Sequence, residues 1–174
     1  MISSLPSVKT TSKPEAAMEY ARLGLPVFPC QTLKEDGTCT CGDTECRHPG
    51  KHPLPMPTWA RATTDPGVVH RWWRRQPWAN IATPTGRDYG LVVLDIDELE
   101  SLEEVESRFP GPAAVSLTGG GGMHYYFEAY KDRRRVASEN VAPGVAMMAD
   151  HPDPAQDYYV LLPPSTTTGR YSWA

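Results

Sequence analysis

The chain has 174 residues, 40% of them hydrophobic and 22% charged, which is one domain's worth of sequence with enough apolar material for a core that needs no covalent staples. Its 18 prolines and 14 glycines imply many turns and short elements, and its net charge of -4 excludes a generally adhesive nucleic-acid binder, because affinity for phosphate comes from Lys and Arg displacing counterions. The start, Met-Ile-Ser-Ser-Leu-Pro, has no charged segment leading into an apolar one, and no apolar run approaches membrane-spanning length, so a cytoplasmic protein is expected.

Residues 1–13, rich in Ser, Thr and Lys, read as a flexible N-terminus. Residues 14–174 read as a single domain. Pro14 suits the first helical position, and residues 14–23 carry an apolar stripe of Ala17, Tyr20, Ala21 and Leu23 before Gly24 ends the helix. Residues 25–28 then read as a short strand. A helix feeding a strand suits an α/β or α+β fold.

All four cysteines lie between Cys30 and Cys46, and His48 and His52 follow closely. Clustered Cys and His in a cytosolic chain point to metal rather than to disulfides. Cys39, Cys41, Cys46 and His52 form a closed Cys3His set for structural zinc, within an insertion at about 37–53, with His48 and Cys30 as competing fourth ligands. Gly50-Lys51 resembles the end of a phosphate loop, but no glycine lies five positions before Gly50 and His follows the lysine, so that motif fails.

Prolines at 53, 55 and 57 keep the chain extended, and Trp59 is a candidate core anchor. Asp65-Pro66 starts a helix over 66–76 with Val69, Trp72 and Trp73 on one side and Arg71, Arg74 and Arg75 on much of the rest. Core packing explains the tryptophans; stacking on nucleic acid with phosphate contacts from the arginines is the competing reading. Residues 80–82 read as a strand and Pro84-Thr85-Gly86 as a turn.

Residues 91–97, Leu-Val-Val-Leu-Asp-Ile-Asp, read as a buried strand with two carboxylates at its exit. Asp95 and Asp97 are two positions apart and so share a face. Such a pair either caps a turn or attracts a hard divalent ion, Mg2+ or Mn2+, which takes oxygen ligands and shares carboxylates with substrate phosphates. Leu99, Leu102, Val105 and Phe109 then fall at helical spacing. Strands at 114–117 and 123–127 flank Thr118 and four glycines, 119–122, whose amides could approach an anion, and His124 stands at the loop's exit. The basic run 131–135 is a solvated loop or a phosphate-contacting edge. Strands at 145–148 and 158–162, and an edge strand within 169–173, complete the chain, whose abrupt stop reads as a piece of something longer.

In this order, Cys-x-Cys-x4-Cys with Pro-Gly-Lys-His-Pro, the Trp-rich helix, Thr85-Gly86, Val93-Leu94-Asp95-Ile96-Asp97, the glycine loop with His124, and Val160-Leu161-Leu162-Pro163-Pro164-Ser165 with Gly169-Arg170-Tyr171 resemble the bifunctional primase-polymerase N-terminal domain of the archaeo-eukaryotic primase superfamily. The resemblance covers nearly the whole chain. It implies an α/β (α+β) fold whose core is an RNA-recognition-motif-like mixed or antiparallel sheet flanked by helices, plus a small zinc-binding loop. It also implies template-directed nucleotidyl transfer on a DNA template and primer with NTPs or dNTPs, serving a plasmid, phage or mobile element, with further C-terminal domains or a helicase as partners and no membrane. Asp95 and Asp97 match the metal-holding acids, and His124 the histidine that binds the incoming phosphates; Gly122 stands where the family often has Ser. Gly86, Arg87, Thr118, Gly120, Gly121, Gly122 and Ser165 are the further candidate nucleotide contacts, with Arg74, Arg75, Arg87 and the 133–135 run for template phosphate.

The family's third acid, in the frame Gly-Val-(Asp or Glu), falls on Ala146, which cannot bind a metal. Either the chain is catalytically weak or inactive as written, or Asp150, Asp153 or Asp157 takes the role. A nucleotide- or DNA-binding replication module and a metal-dependent nuclease are the alternative functions.

Overall fold

A strand apolar on both sides must be covered on both sides, and residues 91–96 are arranged accordingly. The computed structural model describes residues 2–55, 62–129, 137–153 and 156–174; Trp59 and the 131–135 run lie outside the described residues. The helices are α1 (Lys13–Arg22), α2 (Pro66–Arg75) and α3 (Leu102–Arg108). The strands are β1 (Phe28–Cys30), β2 (Asn80–Pro84), β3 (Leu91–Ile96), β4 (Ala114–Leu117), β5 (Met123–Glu128), β6 (Glu139–Ala142), β7 (Val145–Met148), β8 (Tyr159–Leu162) and β9 (Ser172–Trp173). Six of them form one sheet in the order β6-β7-β3-β5-β4-β9, and β1-β2-β8 form a smaller one, all paired antiparallel. This is the α+β architecture of antiparallel sheets and helices expected from the sequence.

The alternation along β3 divides the core. Leu91 and Val93 join Tyr126, α1 and α2 on one face, while Leu94 and Ile96 join Tyr125, Val145, Met147 and Val105 of α3 on the other. The connection β3-α3-β4 leaves room for β5 between two parallel strands, a split β-α-β unit. β8 brings Val160 and Leu162 to the first cluster and Leu161 to a third with Phe28, Cys30, Ala82 and Tyr171.

The helix starts follow local chemistry. Ser12 accepts from the Glu15 amide ahead of Pro14 in α1, and the Asp65 side chain accepts from the amides of Gly67 and Val68 ahead of α2. Val69 and Trp73 are buried and Trp73 Nε1 donates to the Ala79 carbonyl at 3.1 Å, so α2 turns its aromatic side to the core and leaves Arg71, Arg74 and Arg75 outside.

Three expectations need correction. The N-terminal residues are not frayed: residues 2–7 form a 3-10 turn against β4 and β5, with Ile2, Leu5 and Val8 buried in the main core, because three apolar side chains outweigh a polar composition. The first strand starts at Phe28 rather than at 25, since the chain is still turning off α1 where the Leu25 amide donates to the Tyr20 carbonyl. The segment after Asp97 opens as a 3-10 turn, Leu99–Ser101, before α3.

Tyr20 joins three distant parts of the chain. Fully buried on α1, its hydroxyl donates to the Pro163 carbonyl at 2.7 Å and accepts from Trp173 Nε1 at 3.0 Å. Tyr20→Phe strands both partners, and we expect it to lower the free energy of unfolding by about 1–3 kcal/mol. The check is a shift of the urea midpoint at unchanged slope.

Candidate active site

Cross-strand register assembles the site. Asp95 of β3 lies opposite His124 of β5 and Ala146 of β7, and His124 lies opposite Ser116 of β4. Residues opposite one another in antiparallel strands share a face, with Cβ atoms roughly 4.5–5.5 Å apart. Ala146, Asp95, His124 and Ser116 therefore form one rung across the sheet, and Asp97 continues the same face beyond the end of β3. Val145 and Met147, on either side of Ala146, point to the opposite core.

His124 is held from both ring nitrogens. Nε2 lies 3.2 Å from Asp95 Oδ1, and Nδ1 lies 3.3 Å from the Tyr126 hydroxyl, itself 3.0 Å from Ser116 Oγ. A carboxylate only accepts, so Nε2 carries the proton toward Asp95. Burial pushes the Asp95 carboxyl up, but the hydrogen bond and charge of His124 and the charge of Lys51 outweigh it and hold it below its ordinary value. The stabilisation from this pairing is accordingly complete above the ordinary value of 3.8 and is lost as the pH falls through the lower folded value.

A cavity of about 410 Å³ opens over this rung. The large sheet contributes Asp95 and His124 to its wall, the small sheet the 159–161 stretch of β8, and the cysteine-rich loop His48 and Lys51. Asp157 and Tyr171 also line it. The Tyr171 ring centre lies 5.8 Å from that of His124, and burial first, then the Asp95 charge, pushes the Tyr171 hydroxyl up to about 12.

The glycine loop is a tight hairpin rather than an open anion nest. The amides of Gly121 and Gly122 donate to the carbonyl and hydroxyl of Thr118, and the Thr118 amide donates to the Gly122 carbonyl. A Cβ on Gly122 would stand 2.3 Å from the Ile96 carbonyl oxygen and one on Gly119 would stand 2.4 Å from that of Gly169, so these two positions demand glycine for packing; a Cβ on Gly120 would make only an ordinary contact with the Thr118 hydroxyl at 3.9 Å. Serine at 122 would collide with β3, so the departure from the family's Ser-x-His pattern has a steric reason here.

The other candidates are dispersed. Ser165 is fully buried, accepting from the Ile81 amide at 2.9 Å and donating to its carbonyl at 3.2 Å, so its hydroxyl is committed to the sheet. Gly86 and Arg87 sit at the entry of β3, roughly 13 Å along the strand from Asp95 at about 3.3 Å per residue. The Arg87 amide donates to Asp150 Oδ1 at 3.1 Å, which engages Asp150 in that turn. Asp153 accepts from Gln156 at 2.9 Å on the surface, leaving Asp157, held by the Tyr89 hydroxyl at 2.6 Å, as the acid among these three that lines the cavity. Arg74 lines a groove between α1 and α2 instead.

The cysteine loop resolves its own ambiguity. Ligand atoms of Cys39, Cys41, Cys46 and His52 all lie within 4.8 Å of one another, the one such group among the described residues, and could hold a metal ion. Cys39 Sγ and His52 Nε2 are 3.4 Å apart, close to the roughly 3.5 Å that tetrahedral zinc imposes with bonds of about 2.3 and 2.0 Å. His52 Nδ1 lies 3.2 Å from the Pro53 carbonyl, the second contact that orients a ligating imidazole. Amides of Asp43 and Gly50 donate to Cys41 and Cys39 sulfur. Burial pushes the Cys39 thiol up, but the amides of Cys41 and Gly50 and the side chains of Cys41 and His52 bring it down to about 6, toward the thiolate a metal needs. Cys30 is excluded, buried in the core beside Phe28 and Leu161, and His48 faces the cavity.

Among the described residues no helix is long and apolar enough to cross a membrane. A search of the curated proteins finds no match. Residues 17–174 match the family described as bifunctional DNA primase/polymerase, N-terminal, a span that runs from within α1 through β9 and includes both the Asp95 cavity and the cysteine loop. The chain belongs to the bifunctional DNA primase/polymerase N-terminal family.

Proposed function

We propose that this cavity carries out template-directed nucleotidyl transfer, adding NTPs or dNTPs to a primer in the replication of a plasmid, phage or other mobile element. Membership of the family supports a primase/polymerase-type activity with DNA and nucleotide as ligands. The observation that carries the reading to particular residues is the rung of Ala146, Asp95 and His124 beneath the cavity.

Asp95 and Asp97 offer the hard oxygen donors that Mg2+ or Mn2+ requires, and Asp95 is already favoured in its charged form. When bound, such ions supply charge neutralisation at the attacking and leaving oxygens of an in-line displacement. His124 spends its Nε2 proton on Asp95 in the free site. Once Asp95 turns its oxygens elsewhere, that N–H is available to a phosphate, while Tyr126 keeps the ring in place. Most of the catalysis asked of these residues is positioning and electrostatics.

Ala146 favours a second reading, a domain that binds nucleotide or primer-template and extends it poorly. Incubation with primer-template, nucleotides and Mn2+ separates the alternatives. Elongated primer is the expected product, slow for the chain as written; a shortened primer identifies a nuclease, and a mobility shift alone a binding module.

The Cys3His group we assign to structural zinc, one ion per chain in protein purified without chelator. Cys41→Ser is expected to lower zinc content at least several-fold and to raise hydrogen exchange across residues 30–55. The core strands should keep their protection, because the apolar clusters lie outside that loop apart from Cys30. Global unfolding of the variant, or purified protein without zinc, would contradict the assignment.

A further inference from the structure

The cysteine loop does more than close on itself, because two of its side chains reach the Asp95 cavity. His48 and Lys51 are exposed and line that cavity opposite the sheet. We infer that Lys51, assisted by His48, binds the polyphosphate of the incoming nucleotide, so that the metal loop is a wall of the active site. This rests on the reading of the cavity as a nucleotidyl-transfer site.

The backbone of Lys51 is fixed on both sides. Before it, the Gly50 amide donates to Cys39 Sγ at 3.4 Å and the Gly50 carbonyl accepts from buried Asn80 at 2.9 Å. After it, His52 places Nε2 beside Cys39 while its carbonyl accepts from the Gln31 amide at 2.8 Å. The Lys51 amide itself donates to the His48 carbonyl at 3.1 Å, which ties the two cavity-facing residues together. Only the lysine side chain is left to move, and its ammonium forms no ion pair among the described residues.

The charges of the cavity call for such a group. Asp95 and Asp157 are acids on its walls, and the repulsion a polyphosphate meets between them is offset further by a cation on the facing wall. Lys51 is the one Lys or Arg lining the cavity among the described residues. A lysine ammonium, a compact charge with three donors, binds phosphate as a point charge without needing a planar fork. Gly121 and Gly122, whose amides are used within their own hairpin, do not supply this contact.

The test is the affinity of the full chain, zinc-loaded and in Mn2+, for ATP, for inorganic tripolyphosphate and for a single-stranded oligonucleotide. Lys51→Met is compared with Lys51→Arg and with Lys34→Met, which removes the same charge from the outer side of the same loop. Lys51→Met should weaken both ATP and tripolyphosphate roughly tenfold to a hundredfold, as loss of a hydrogen bond between charged groups does, at unchanged zinc content. Lys51→Arg should recover most of this, and Lys34→Met should change little. Equal affinity of Lys51→Met and the starting chain for ATP overturns the inference alone, as does a loss confined to the oligonucleotide. A starting chain that binds neither ATP nor tripolyphosphate overturns this inference and the proposed function together.

Discussion

Ala146→Asp is expected to raise the rate of primer extension by roughly two to three orders of magnitude over the chain as written, the size associated with one transition-state electrostatic contact. The expectation rests on register. Ala146 lies opposite Asp95 on β7, on the cavity face, with Cβ atoms of such pairs roughly 4.5–5.5 Å apart, so a carboxylate there joins Asp95 directly. The side chains of Val145 and Met147 point into the opposite core, so an acid at 146 leaves that core untouched. Nucleotide affinity should change far less than rate, because the ground state keeps its own phosphate contacts and the transition state carries the charge that needs the third acid. Steady-state extension kinetics with Ala146→Asp and Ala146→Glu check this; no gain from either moves the third acid to Asp157, which lines the same cavity through the Tyr89 turn.

Asp95→Asn is expected to act in the other direction and to remove Mn2+-dependent nucleotide binding, with extension in the Ala146→Asp background falling by roughly two to three orders of magnitude. Asparagine keeps an oxygen to accept from His124 Nε2, so the buried ring at 4% exposure is not left unpaired. The fold should therefore hold, with a thermal midpoint close to that of the parent. Titration of nucleotide in Mn2+, against the same titration without divalent ion, separates loss of the metal site from loss of the pocket.

The central strand, its two acids and the sheet and helix composition were legible because each is written in a local period. Leu91 to Leu94 is apolar throughout, Asp95 and Asp97 alternate with Ile96 at the strand's exit, and α2 begins at an Asp-Pro pair. What could not be read locally is what other strands bring. That Ala146 faces Asp95 depends on β7 pairing with β3 across some fifty residues of chain, which the family frame indicated and spacing alone did not. Ser165 carried the marks of a site residue and proves to be a clamp on Ile81, since a hydroxyl gives no sign of which partner it will find. Lys51 is the converse case. Its Pro-Gly-Lys-His setting fails as a phosphate loop, and only the folding of the cysteine loop over the sheet brings its side chain to the cavity. β6 escaped notice because Glu139 and Asn140 are exposed on an edge strand and leave no alternation to follow.

The most direct measurement of the central claim is anomalous diffraction from crystals grown with Mn2+ and a non-hydrolysable nucleoside triphosphate. The predicted result is manganese density bound by Asp95 and Asp97, with the triphosphate in the cavity between His124 and the 48–51 stretch of the cysteine loop. Manganese and nucleotide bound elsewhere, with the Asp95–His124 hydrogen bond intact and the cavity filled only by water, would contradict it.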